Sequence, residues 1–153
     1  MNHTRRRGFT LMELLIVVSI ILILAAIAIP NVQSARIHTL ETAATRHIGV
    51  MHTAQTQYFS QYGRFAASLA ELGPPSTAES GPSGASLIPP DLAQGEKGGF
   101  RFHLQATPTG YSISVAPVTF DVTGRRTFFS DQTLIIRQNP GREPAGPQSK
   151  VIG

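Results

Sequence analysis

The sequence predicts an α+β protein in which a long N-terminal α-helix packs on a small antiparallel β-meander of about four strands. Three observations predict this fold class. An apolar run fills residues 9–29, an apolar period of three and four residues follows it, and a period of two begins at Phe100. The 153 residues are enough for one domain with a modest core on such an anchor.

The apolar run is the first predicted element. As a helix, residues 9–29 would extend roughly 31 Å, about the thickness of the hydrocarbon core of a bilayer. Its polar members are Thr10, Glu13 and Ser19. A basic cluster precedes the run, formed by Arg5, Arg6 and Arg7. The positive-inside rule then predicts a single membrane pass, with a cytoplasmic N-terminus and the C-terminal body outside.

Two simpler interpretations of this segment stay open on the pattern alone. A secretory signal peptide has a basic region followed by an apolar one, and Gln33-Ser34-Ala35 resembles a cleavage site. A plain signal anchor fits as well. Glu13 favours a third interpretation, because an acid inside a membrane span costs a few kcal/mol and indicates a functional role.

The six residues Gly8-Phe9-Thr10-Leu11-Met12-Glu13 resemble the processing motif of type IV prepilins and type II secretion pseudopilins. The resemblance is strong over residues 5–35. It implies that a membrane-embedded prepilin peptidase cuts after Gly8 and N-methylates Phe9, the first residue of the mature chain. It also implies that Glu13 neutralises the terminal amine of Phe9 on a neighbouring copy during assembly. Pro30 stands at the family's usual proline position and predicts a kink in the helix.

An amphipathic helix is predicted beyond Pro30, over residues 31–63. Its apolar stripe consists of Ile37, Leu40, Ala44, Ile48, Met51 and Tyr58, with a skip at Gln55. Glu41 and His52 fall mostly off that stripe and are expected on the solvated face. Gly63 predicts the end of the helix.

The remainder of the chain divides by composition. A variable loop rich in Gly, Pro and Ser is predicted for residues 64–99, in which Ser68 and Glu71 have the spacing of a capping box. Alternating residues predict an antiparallel sheet over 100–138, starting with a hairpin that turns at Pro108-Thr109-Gly110. The residues from 139 to 153 are expected to form a flexible tail. No large exposed apolar patch is expected outside residues 9–29.

Several function classes receive no support. The chain has no cysteine, which excludes disulfides and thiolate metal sites. The formal charge of +4 counts the three leader arginines; without them 13 minus 3 leaves 10 basic against 9 acidic residues, and no nucleic-acid site is evident. The nucleophile-elbow, P-loop and zincin motifs do not occur, so no enzyme activity, cofactor or metal is predicted. A calcium site between Asp121 and Asp131 is a weak alternative.

The sequence therefore predicts the structural subunit of a type IV pilus. Residues 1–8 would be the cytoplasmic leader and residues 9–30 the membrane and fibre-core helix. The predicted partners are the prepilin peptidase, an inner-membrane assembly platform, the lipid bilayer before assembly, and copies of the chain itself in an extracellular or periplasmic fibre.

Two rival functions share parts of this prediction. The first is a pseudopilin of a type II secretion or DNA-uptake system. The major secretion pseudopilins usually carry an acidic calcium loop and a tryptophan-containing segment, whereas this chain has no tryptophan. The second is a signal-anchored membrane-bound enzyme or binding module, which would need a convergent polar pocket in residues 64–153.

Overall fold

The first helix, α1, extends over Leu11–Tyr62. The structure is a computed structural model that describes residues 8–76 and 79–152, apart from the side chains of residues 28–31. The chain divides into two compact units, Met1–Arg36 and Ile37–Gly153, the second of which is called the body below. The helix assignment is continuous through Pro30, and the kink predicted there stays a prediction.

The N-terminal part of α1 exposes its apolar side chains. The described large apolar residues between Leu11 and Ile27 are 45–78% exposed. By length and composition, α1 is a helix that could cross a membrane, with a mean hydropathy of 3.0 in its most apolar window. Its internal polar residue Ser19 donates a hydrogen bond to the Leu15 carbonyl oxygen over 2.8 Å, which satisfies the hydroxyl without water.

The remainder of α1 packs on the body through the predicted stripe. Five positions of that side are at most 1% exposed: Ala44, Ile48, Met51, Ala54 and Tyr58. Gln55 does not interrupt the buried side, because its amide accepts from the Ala66 N–H over 2.9 Å and donates to the Ala66 carbonyl over 3.0 Å. Gly63 has a φ of 69° and ends the helix as predicted, its N–H bonding the Phe59 carbonyl.

The segment predicted as a loop, residues 64–99, contains more regular structure than expected. It holds two four-residue helices, α2 at Leu69–Leu72 and α3 at Pro90–Ala93, and a short strand, β1 at Glu96–Lys97. The predicted capping box at Ser68 is wrong, because the Ser68 side chain makes no capping bond. Glu71 instead accepts from the Ala67 N–H over 3.0 Å and pairs with Arg64 over 2.8 Å.

The sheet has six antiparallel strands in the order β1-β2-β3-β4-β5-β6, two more than the predicted number of about four. The α+β class is confirmed. The other strands are β2 at Phe100–Thr107, β3 at Gly110–Pro117, β4 at Arg126–Asp131, β5 at Arg137–Pro140 and β6 at Lys150–Val151. The predicted β2–β3 hairpin is confirmed, with Thr107 opposite Gly110. The two extra strands, β1 and β6, have two residues each, too short for a periodicity to reveal them.

The described residues from 139 onward make several contacts with the sheet, and the flexibility expected there stays a prediction. The Thr127 hydroxyl donates to the Glu143 carbonyl over 2.7 Å and accepts from the Ala145 N–H over 3.0 Å. Ala145 is 6% exposed. Strand β6 then pairs with β5 through Arg137 and Gln138. These hydrogen bonds attach the segment to the sheet, although its prolines and glycines do not favour regular secondary structure.

Candidate functional site

The junction predicted for cleavage lies in accessible chain. Gly8 is exposed, and no heavy atom lies within 4 Å of the position a Cβ would take there. Phe9 is 84% exposed. Both residues precede α1, which begins at Leu11. The predicted leader residues Arg5, Arg6 and Arg7 lie outside the described residues.

Glu13 closes a capping box at the start of α1. Its Oε2 accepts from the Thr10 backbone N–H over 2.9 Å and from the Thr10 hydroxyl over 3.0 Å. In return the Glu13 N–H donates to Thr10 Oγ1 over 3.2 Å. The box satisfies donors that would otherwise be unpaired at the helix start, and a carboxylate in the first turn also interacts favourably with the helix dipole. Thr10 therefore orients the carboxylate at the N-terminal end of the span.

The sequence analysis assigned Thr10 no role, although a signal was present. Threonine followed three residues later by glutamate, immediately before an apolar run, is the sequence signature of a capping box.

A buried ion pair joins α1 to the sheet within the body. Glu41 is 4% exposed. It accepts from the Arg126 Nε over 2.8 Å, from the Arg126 Nη2, and from the Arg125 backbone N–H over 2.8 Å. The expectation that Glu41 is solvated is therefore wrong. Its partners are 84 and 85 residues away in the sequence, so the helical periodicity around Glu41 could not indicate them.

His52 is the second polar residue of α1 that the sequence analysis placed wrongly. It is 8% exposed, and its imidazole contacts one residue on each of two strands. Nδ1 lies 2.6 Å from the hydroxyl of Tyr111 on β3, and Nε2 lies 2.8 Å from Oγ of Ser130 on β4. Ser130 donates its own proton to the Ile135 carbonyl over 2.9 Å. Ser130 must therefore accept from the imidazole, so Nε2 carries the proton and Nδ1 accepts from Tyr111.

Burial sets the protonation of this network. It lowers the pKa of His52, against an opposing contribution from the Asp131 carboxylate. Burial, with a smaller contribution from Asp131, also raises the pKa of Tyr111 to about 12. Both side chains are thus neutral near pH 7, as the hydrogen-bond directions require. This arrangement holds α1 against β3 and β4.

The weak calcium alternative finds no geometric support. Asp121 precedes β4 and pairs with Arg125 over 3.2 Å, whereas Asp131 is the last residue of β4 and accepts from the Thr133 N–H. Among the described residues no group of three or more His, Asp or Glu side chains is placed to hold a metal ion. The outer sheet face carries a mainly apolar hollow of about 200 Å³ between β3 and residues 142–145.

The arrangement defines a class of protein: a small α+β body on a helix that could span a membrane, with an acid fixed at the helix start. The family described as "Prokaryotic N-terminal methylation motif" matches residues 3–29. No solved structure matches the chain.

Three relatives share part of the chain. The "Type IV major pilin protein PilA" of Myxococcus xanthus is 45% identical over 71 residues, which are 46% of this chain and 32% of the relative. The "Type IV wide pilus major component PilA4" of Thermus thermophilus is 42% identical over 74 residues, 46% of this chain and 56% of the relative. A "Fimbrial protein" of Pseudomonas aeruginosa is 51% identical over 49 residues, 32% of each chain.

The matched segments thus span about a third to a little over half of these relatives. The motif and the relatives confirm the resemblance predicted from the sequence. The N-terminal segment of the chain thus carries a prokaryotic N-terminal methylation motif and is similar to type IV pilins.

Proposed function

We propose that the chain is a structural subunit of a type IV pilus, made as a precursor and polymerised through α1. The observation that carries this proposal is the Thr10–Glu13 box at the start of an apolar helix whose side chains are exposed. A helix of this kind needs either lipid or other helices around it. Copies of the same chain supply both an apolar surface and a charged partner for Glu13.

The proposed processing step is hydrolysis of the Gly8–Phe9 peptide bond by a prepilin peptidase. Water adds across the bond, leaving a carboxylate on Gly8 and an ammonium group on Phe9. The exposure of both residues supports this step, because a peptidase must reach the scissile backbone. N-methylation of the Phe9 amine by the same enzyme takes a methyl group from a sulfonium donor, which leaves as a thioether, and releases one N–H proton to water. The methylated amine stays basic and takes up a proton again, so the positive charge remains.

The proposed assembly step pairs that ammonium group with Glu13 of a neighbouring copy. Both bonds from Thr10 go to Oε2, and within the described residues Oε1 accepts no hydrogen bond. Oε1 is therefore available to the incoming amine while Thr10 fixes the carboxylate. A single charge in an apolar bundle is costly, whereas a matched and hydrogen-bonded pair is tolerated. The pair would set the axial register of packed helices.

The proposal includes a location. Before assembly the subunit would be a single-pass protein of the inner membrane, with its leader in the cytoplasm and its body outside. After assembly the same helix would form the fibre core. The apolar surface of α1 is exposed to either environment, which is what a helix that moves from lipid to a helical bundle requires.

The test compares two variants of Glu13 in the cell that makes the protein. Glu13→Ala removes the carboxylate and Glu13→Gln keeps its size and hydrogen-bonding reach without the charge. We expect both to insert in the membrane and to be cleaved after Gly8, because the substitution lies downstream of the scissile bond. We expect sheared surface fibres to fall steeply relative to total membrane-bound subunit. The pairing proposal is wrong if both variants give normal fibres at normal subunit levels.

A further inference from the structure

We propose that the hollow on the outer face of the sheet is a binding site for a small aryl carboxylate, a molecule of the size and chemistry of benzoate. The aromatic ring lies on the short side chains of β3, and the carboxylate contacts the guanidinium of Arg142. The proposal goes beyond the proposed function, because it concerns only the body and requires no polymer.

The hollow has the size of one ring with one attached polar group. Its volume is about 200 Å³. A cavity of about 150 Å³ is enough to hold benzene. Ser114 and Ala116 line it on the sheet, and Pro144 and Ala145 line it on the side of the C-terminal segment. A single ring therefore fits between the strand and this segment.

The hollow arises because short side chains lie opposite long ones on the outer face of β2 and β3. Arg101 is the cross-strand neighbour of Ala116, and His103 is the neighbour of Ser114. The larger side chain of Val115 is buried on the other face of the sheet. A methyl group and a hydroxymethyl group thus stand where longer side chains would fill the space.

The wall formed by the C-terminal segment is fixed to the sheet. The Thr127 hydroxyl donates to the Glu143 carbonyl over 2.7 Å and accepts from the Ala145 N–H over 3.0 Å. Ala145 itself is buried. Because this wall is already ordered in the free protein, a ligand loses less free energy to ordering the site when it binds.

Arg142 supplies the polar recognition group of the hollow. Its guanidinium carbon lies 5.2 Å from the centre of the Phe120 ring, a cation–π contact that orients the planar group. Within the described part of the chain, no carboxylate forms an ion pair with Arg142. Its N–H donors are therefore available to both oxygens of a ligand carboxylate.

The charges around the hollow are mixed. Arg101 and Arg142 line it, whereas Glu96 lies 3.8 Å from Arg101 and the exposed Glu143 follows Arg142 in the chain. Two carboxylates thus oppose two guanidinium groups, and net charge does not attract an anion from a distance. Recognition of the carboxylate comes from direct contact with the one guanidinium that has no ion-pair partner.

The lining selects the rest of the ligand. The hollow is mainly apolar. A sugar would leave hydroxyl groups there without hydrogen-bond partners, and an inorganic anion would leave the apolar lining exposed to water. A flat ring covers this lining and has no internal rotations to lose on binding. An aryl carboxylate combines that ring with the anionic group that Arg142 can bind.

Amide NMR of the isotope-labelled full chain in detergent micelles tests the site, with benzoate as the probe. We expect saturable shifts of the Ala116 and Ala145 signals, with a Kd on the order of 1 mM, and no shift of Ala44 on α1. Benzamide has the same shape without the charge and should bind about ten-fold more weakly. The proposal is overturned by the absence of saturable shifts, by shifts confined to residues 9–29, or by equal Kd values for the two probes.

Three variants locate the binding. Arg142→Gln should raise the Kd of benzoate about ten-fold, whereas the matched control Arg125→Gln removes an arginine that pairs with Asp121 outside the hollow and should leave it unchanged. Ala116→Leu fills the hollow and should abolish saturable binding at an unchanged Tm. Equal effects of the two arginine variants, or normal binding to Ala116→Leu, would refute the site. Because no fibre is involved, failure of this binding leaves the proposed function intact, and failure of assembly leaves the binding intact.

Discussion

The buried ion pair between α1 and β4 gives the sharpest stability prediction. Glu41→Ala removes the acceptor of two bonds from the Arg126 guanidinium and one from the Arg125 N–H. Breaking a fully buried pair costs about 3–5 kcal/mol. Arg126 is 32% exposed and keeps its Nη1 bond to Gln138, so water can take over part of its solvation. We therefore expect a loss of about 2 kcal/mol in the free energy of unfolding.

The assay is thermal unfolding of the full chain in detergent micelles, followed by the near-ultraviolet circular dichroism of the buried tyrosines. A loss of about 2 kcal/mol lowers the Tm of a body of this size by roughly 8 °C. The control is Glu96→Ala, which removes an exposed pair at 3.8 Å and should change stability by less than about 0.5 kcal/mol. Equal Tm values for the two variants would refute the reasoning that Glu41 fastens the helix to the sheet.

Three further predictions follow from single sites. Burial lowers the pKa of His52, so as the pH falls the imidazole is protonated in the unfolded chain before it is protonated in the folded chain. The free energy of unfolding should therefore fall as the pH drops below about 6.5, and in urea titrations at acid pH this fall should be smaller for His52→Gln. Gly84→Ala would bring a Cβ within 2.4 Å of the Pro75 Cα and should cost about 1–3 kcal/mol, whereas Gly81→Ala meets nothing within 4 Å and should leave the Tm unchanged. Thr10→Val should reduce fibre yield because it removes the hydroxyl that orients Glu13, and Thr10→Ser should retain it; equal yields would contradict the positioning role.

Local pattern predicted much of the fold. The apolar run of residues 9–29 predicts a helix whose side chains face lipid or other helices, and the alternation from Phe100 predicts a strand with one buried face. The hairpin between β2 and β3 followed because Pro108-Thr109-Gly110 supplies a turn between two alternating segments. In each case the information lies within a few neighbouring residues.

The same reasoning fails for contacts between residues that are far apart in the sequence. Glu41 and His52 look like solvated helix polars until the sheet brings Arg126 and Tyr111 against them. The C-terminal segment contacts the sheet partly through the Thr127 hydroxyl, which bonds residues 16 and 18 positions further on. The Leu134 backbone has a left-handed φ of 64° next to the bond from the Thr133 N–H to Asp131 Oδ1, and no periodicity of the sequence indicates it.

For the candidate site, in contrast, neighbouring residues in the sequence carried most of the information. Its charge and spacing were visible in the sequence, because Gly8, Phe9 and Glu13 are close neighbours with a family pattern. What the sequence analysis missed was the local hydrogen bonding of Thr10, which belongs to helix capping and not to the family's processing chemistry. The structure therefore adds Thr10, as a positioning residue for Glu13, to the site that the sequence predicts.

The central claim is that this chain is processed after Gly8 and polymerised through α1. The most direct measurement is intact-mass and N-terminal peptide mass spectrometry of the subunit in fibres sheared from the cell surface. We expect a chain that begins at Phe9 and carries one added methyl group, present in the fibre fraction. Fibres that lack the chain, fibre subunits that retain Met1, or a mature N-terminus near Ala35 would contradict it.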